Sequence, residues 1–183
     1  MSLPDIDVER ELLHTRRVRY EGYKRIDGLW DIEAHLTDIK NHDYQLKTGV
    51  RRAGQPVHSM WLRLTIDQGL NITDAAASSD AVPYPGGCEA IAPAYRQLIG
   101  LNLAKDFRKN SLQLLGGVRG CTHLTEMLAG MPTAAIQSFA GERKEEQGDG
   151  KPFQLDQCHA LETTSETVRQ WYPKWYRKEK TPA

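Results

Sequence analysis

Cys121 and His123 stand two residues apart in the run Gly116-Gly117-Val118-Arg119-Gly120-Cys121-Thr122-His123-Leu124-Thr125-Glu126. Leu124, Met127, Leu128 and Met131 follow at helical spacing, so the run places a thiol and an imidazole where a helix begins. The positive end of a helix dipole favours the thiolate, the form of cysteine that ligates metals and attacks electrophiles. Two further donors lie elsewhere in the chain: Cys88, delivered by the turn-rich loop Pro83-Tyr84-Pro85-Gly86-Gly87, and His58, on a strand-like segment. Zinc and iron favour thiolate and imidazole, and three protein ligands leave a position open for water or substrate. His58, Cys88 and Cys121 are therefore the expected metal ligands, with His123, His35 or Glu33 as a fourth member or general base.

A second chemistry needs no metal. Cys121 would be an activated nucleophile with His35 or His58 as its base and backbone donors of the helix holding an oxyanion, which makes a hydrolase or lyase acting on a small substrate. A structural or interaction protein is the third reading, favoured if the cysteines prove buried and apart. Two helical positions differ by about 200°, which lets only one of Cys121 and His123 face a given site. Glu33 and His35 belong to a polar row with Asp31 and Thr37, which either faces solvent or lines a pocket. Arg63 reads as a salt-bridge partner, and Trp30 and Trp61 as core or pocket wall. Cys158-His159 is a second adjacent pair, and neighbours in an extended segment point opposite ways.

The elements that must position these residues follow from periodicity. Residues 1–15 form a polar arm with a helical hint, and 16–23 alternate as a strand with one wet face. After the Asp27-Gly28 turn, Trp30, Ile32, Ala34 and Leu36 share one face, a period of two that means strand. Residues 47–55 read as a connection. Residues 57–67 form a strand with His58, Met60, Leu62, Leu64 and Ile66 on one face, and 70–80 form the next. Ile91, Tyr95 and Leu98 then recur at helical spacing, a second helix spans 103–115, and a third runs from about Thr122 to Phe139, kinked or interrupted by Gly130 and Pro132. Strands first and helices second predict an α+β fold, an antiparallel meander with helices on one face.

At 183 residues one domain is expected, with a core over 16–140, a charged loop over 141–152 and an aromatic C-terminal segment over 153–183. That last segment carries Trp171, Tyr172, Trp175 and Tyr176 among lysines and arginines, a composition suited to capping a core, to a homodimer contact or to stacking on bases. Lysine and arginine total 24 against 24 acidic residues, so no global basic field supports nonspecific nucleic-acid binding. No apolar run reaches the length of a membrane span and no secretory pattern opens the chain, so the expected location is cytoplasmic, with a small molecule or a protein as partner and no membrane. Three cysteines in a reducing compartment point to ligand, nucleophile or core rather than disulfides. No phosphate-binding glycine loop appears, which argues against a nucleotide cofactor.

Two resemblances add to this reading. The strand Met60-Trp61-Leu62-Arg63-Leu64-Thr65-Ile66-Asp67, the segment Ile72-Thr73-Asp74-Ala75, and Gly87-Cys88 and Gly120-Cys121 before helices are similar in order to the NifU and SufU type of iron–sulfur scaffold and sulfur-acceptor fold. That likeness, over 57–139, implies ligands at three loop or strand positions and metal or sulfur delivery to a partner. The family's first cysteine is missing here, and His58 takes its region. The motifs GLWDIEAHLTD, HSMWLRLT, GCTHLTE and CHAL resemble the signatures of a bacterial domain-of-unknown-function family, which implies a shared architecture and no activity.

Overall fold

A computed structural model describes residues 3–139 and 150–178. By internal contact the chain forms two compact units, Met1–Ser138 and Phe139–Ala183. In the first, residues 3–13 hold no helix or strand, and four long strands then build one antiparallel sheet: β1 (His14–Lys24), β2 (Trp30–Lys40), β5 (Pro56–Ile66) and β6 (Ile72–Ala81), in the order β1-β2-β5-β6. The expected α+β meander is the architecture observed. The stretch read as a plain connection carries half of a small hairpin, β3 (Tyr44–Leu46) with β4 (Gly49–Arg51).

Side-chain alternation decides the two faces of the sheet. Trp30, Ile32, Ala34 and Leu36 of β2 lie opposite Ile66, Leu64, Leu62 and Met60 of β5, and all eight are buried. The other face carries Glu33 opposite Arg63 and His35 opposite Trp61. This parity places His58 and Asp38, which pair with each other, on the core face. Register shifts just past them, so that Ile39 lies opposite Pro56, and this bulge ends the regular ladder where the site begins.

The helices cover the core face. The 3-10 helix Glu89–Leu98 adjoins β6, and Pro93 inside it removes an amide hydrogen, which is one reason that segment is not a regular α-helix. Next come α1 (Phe107–Leu115), shorter than the expected 103–115, α2 (Thr122–Leu128) and α3 (Met131–Ser138). The interruption expected at Gly130 and Pro132 separates the last two. Close approach needs glycine on both sides. A Cβ on Gly22 of β1 would fall 1.8 Å from Ser138 Oγ, and one on Gly130 would fall 2.4 Å from the Tyr20 ring. The Tyr20 hydroxyl donates to the Met127 carbonyl at 2.9 Å, tying the end of α2 to β1.

The second unit holds the short 3-10 turn His159–Leu161, then α4 (Glu166–Trp171), whose first turn is capped by the Ser165 hydroxyl accepting from the Val168 amide. Leu155 and Val168 are buried, while Phe153 and Trp171 are exposed. Most of the charged loop expected over 141–152 lies outside the described residues. Among the described residues, no helix is long and apolar enough to cross a membrane.

Candidate metal centre

Three neighbouring strand positions form a row across the sheet: Arg16 on β1 pairs with Asp38 on β2, which pairs with His58 on β5. Asp38 is buried, and its carboxylate is the hub of the row. Oδ1 accepts from His14 Nε2 at 2.8 Å and from Arg16 Nε at 2.9 Å; Oδ2 accepts from Arg16 Nη2 at 2.9 Å and His58 Nδ1 at 3.0 Å. Burial pushes the Asp38 carboxyl up, but the bidentate guanidinium and the imidazoles outweigh it and hold it well below the usual carboxylate range.

His123 arrives from α2. Its Nε2 lies 3.7 Å from Asp38 Oδ2, and its ring sits against that of His58 with centroids 3.9 Å apart. One ligand atom from each of Asp38, His58 and His123 falls within 4.8 Å of the others. Arg16 also donates from Nη1 to Glu126 Oε2 at 2.5 Å, so one guanidinium ties β2 to α2. Burial, and then the neighbouring His123, push the His58 imidazole below its ordinary value, which keeps it neutral and able to donate a lone pair.

Cys121 and His123 are not divided by the helical 200° step. Cys121 precedes the helix with an extended backbone (φ −94°, ψ 130°), so its side chain turns back over His123, with Sγ 3.9 Å from Nδ1. Burial pushes this thiol up, but the His123 ring and the amides of Leu124 and His123 outweigh it, and the net shift is downward. The Cys121 backbone is held by the buried Tyr95 hydroxyl, which accepts from the Cys121 amide at 3.1 Å and lies 3.1 Å from its carbonyl and 2.8 Å from Thr125 Oγ1.

The expected set His58, Cys88 and Cys121 is not the set that converges. His58 and His123 do; Cys88, at the start of the 3-10 helix, and Cys121 fall outside the Asp38 group. Glu33 and His35 lie on the opposite face, because odd and even positions of β2 point opposite ways. There Arg63 donates to Glu33 at 2.7 Å, the salt bridge expected of it, and His35 stacks on Trp61 at 3.8 Å with Nε2 3.0 Å from Ser59 Oγ. Cys158 is exposed in the second unit. Asp38, His14 and Arg16 had no place in the expected site. The signal for Asp38 was its parity, a carboxylate in register with Ile32, Ala34 and Leu36.

A family model described as "Protein of unknown function (DUF2889)" matches residues 14–137. The chain belongs to this family. The matched DUF2889 span starts at His14 and contains His14, Arg16, Asp38, His58, Cys121, His123 and Glu126. No curated protein and no solved structure matches the chain.

Linkage fixes the sign of one pH dependence. For metal-free protein, His58 binds a proton below pH 6.5 in the unfolded chain but resists it when folded, so unfolding takes up protons and stability falls as pH drops through that value. Asp38, held low in the fold, adds stability that is present above its ordinary value of 3.8 and lost further into acid. Urea midpoints should therefore fall from pH 7 to 5 and fall again below 4. His58→Gln should flatten part of the first descent, which His35, also pushed down by burial, shares; a midpoint that rises on acidification from pH 7 to 5 would contradict the assignment.

Proposed function

We propose that this chain is a mononuclear metal-binding domain, in which Asp38, His58 and His123 hold a divalent zinc or iron ion for chemistry on a small molecule at an open coordination position. The convergence of three donors from β2, β5 and α2 within 4.8 Å carries this reading. Ligands about 2.0–2.1 Å from a tetrahedral ion stand roughly 3.3 Å from each other. The separations of 3.0 Å and 3.7 Å from Asp38 Oδ2 to the two imidazoles bracket that value. Ligation asks His58 to carry its proton on Nε2, which turns Nδ1 from donor to ligand. Arg16 and His14 then orient the carboxylate from behind, the role that outer hydrogen bonds play in metal sites.

Two histidines and a carboxylate suit iron or zinc and leave positions open. Handing the metal to a partner, as the scaffold likeness implies, is the other use of the same site. Binding should raise the melting temperature: at one hundred times its Kd, a ligand adds about 2.7 kcal/mol. Chelated protein titrated with Zn2+ or Fe2+ should show this shift, and His123→Ala should not. Equal shifts in both would count against the reading.

A metal-independent thiol nucleophile is the second reading, favoured by the 3.9 Å approach of Cys121 Sγ to His123 Nδ1. His123 replaces His35 as its base, since His35 is on the far face of the sheet. Fast, stoichiometric alkylation of Cys121, slowed by His123→Ala and insensitive to chelators, would favour it.

A further inference from the structure

His123 presents different chemistry to each of its two ring nitrogens. Nε2 faces the carboxylate of Asp38, whereas Nδ1 faces sulfur: Cys121 Sγ is 3.9 Å away, and that same Sγ is 4.0 Å from Met60 Sδ. Met60 lies on the core face of β5, two residues from His58, and is 1% exposed, while Cys121 and His123 are partly open to solvent. The Cys121 thiol thus stands between a thioether and an imidazole nitrogen, each about 4 Å away.

We infer that Cys121, Met60 and His123 Nδ1 form a site for a soft monovalent ion of the cuprous type, distinct from the oxygen-and-nitrogen site at Asp38. Thiolate and thioether sulfur select Cu+ over harder divalent ions, and two sulfurs with one imidazole satisfy its preference for few, soft ligands. The separations of 4.0 Å and 3.9 Å match those of sulfur and nitrogen donors about 2.0–2.3 Å from one shared ion at a wide angle. Binding releases the Cys121 thiol proton to solvent and requires no change of oxidation state. A neutral imidazole has one lone pair, so His123 serves one ion at a time: an ion on Nδ1 puts the ring proton on Nε2 and withdraws His123 from the Asp38 site. The two sites exclude each other through the tautomer of one ring.

The test uses the full chain with Cys88→Ser and Cys158→Ser, which remove the other thiols, under anaerobic conditions with Cu+ supplied on a chromophoric chelator. One Cu+ per chain should transfer, with two sulfur scatterers in its X-ray absorption spectrum. Cys121→Ser should lose it, and Met60→Leu, a near-isosteric core change, should weaken it at least about tenfold and remove one sulfur. Asp38→Asn should keep Cu+ while losing Zn2+, which separates this site from the one proposed above. Cu+ that stays on the chelator, or full affinity in Met60→Leu, or equal loss of Cu+ in Asp38→Asn and Cys121→Ser, would overturn the inference.

Discussion

Asp38→Ala should abolish stoichiometric metal binding and cost about 2–3 kcal/mol of stability. Removing the carboxylate leaves the largely buried His58 without its acceptor and His14 and Arg16, both about a third exposed, without theirs; breaking a fully buried ion pair on one side costs about 3–5 kcal/mol, an upper bound here. Arg16 has a side chain 32% exposed and keeps Glu126, so part of that cost is returned by solvent. Asp38→Asn retains volume but offers one acceptor oxygen in place of two, so it should lose the metal with a smaller penalty. Urea denaturation and Zn2+ titration on the two variants measure both effects. An Asp38→Ala protein of wild-type stability would show that the carboxylate is not the hub described.

Gly120→Ala should reach the site through the backbone. A Cβ there would fall 2.2 Å from the Leu115 carbonyl oxygen and 2.9 Å from Thr125 Oγ1, and the carbonyl cannot swing aside as a flexible side chain can. The Thr125 hydroxyl donates to that same carbonyl at 3.2 Å and meets the Tyr95 hydroxyl at 2.8 Å, so the clash spreads into the contacts that fix Cys121. Overpacking of this kind costs about 1–3 kcal/mol. The larger consequence is displacement of the α2 N-terminus, and with it His123, which should weaken metal binding by about 10- to 100-fold, the range seen when ligand-orienting contacts are lost. A Gly120→Ala protein that binds Zn2+ with unchanged affinity would show that the 115–125 turn does not position His123.

The sheet was legible in the residues because its signal is local. The period of two in residues 30–36 and 58–66 names the buried face of both central strands, and Gly130 with Pro132 marks the break between α2 and α3. The site was legible only in part. His58 was recognisable as polar on an apolar face, and His123 by its place beside Cys121. Asp38 obeys the same parity as Ile32, Ala34 and Leu36, yet its meaning depends on facing His58 and Arg16, a matter of register between strands distant in sequence. Cysteine chemistry drew the expected site towards Cys88, whereas the cross-strand row assembles around a carboxylate. Glu33 and His35 looked functional because a polar row on one face is equally a solvated one, and here Arg63 and Trp61 occupy them. The extended backbone at Cys121, which overrides helical spacing, is set by Tyr95 from a separate element.

The most direct test of the metal reading is elemental analysis of the full chain purified anaerobically without chelator, beside Asp38→Ala and Cys88→Ser. About one zinc or iron per chain is expected in the wild type and in Cys88→Ser, and none in Asp38→Ala. No stoichiometric zinc or iron in the wild type, or the same amount in Asp38→Ala, would contradict that reading.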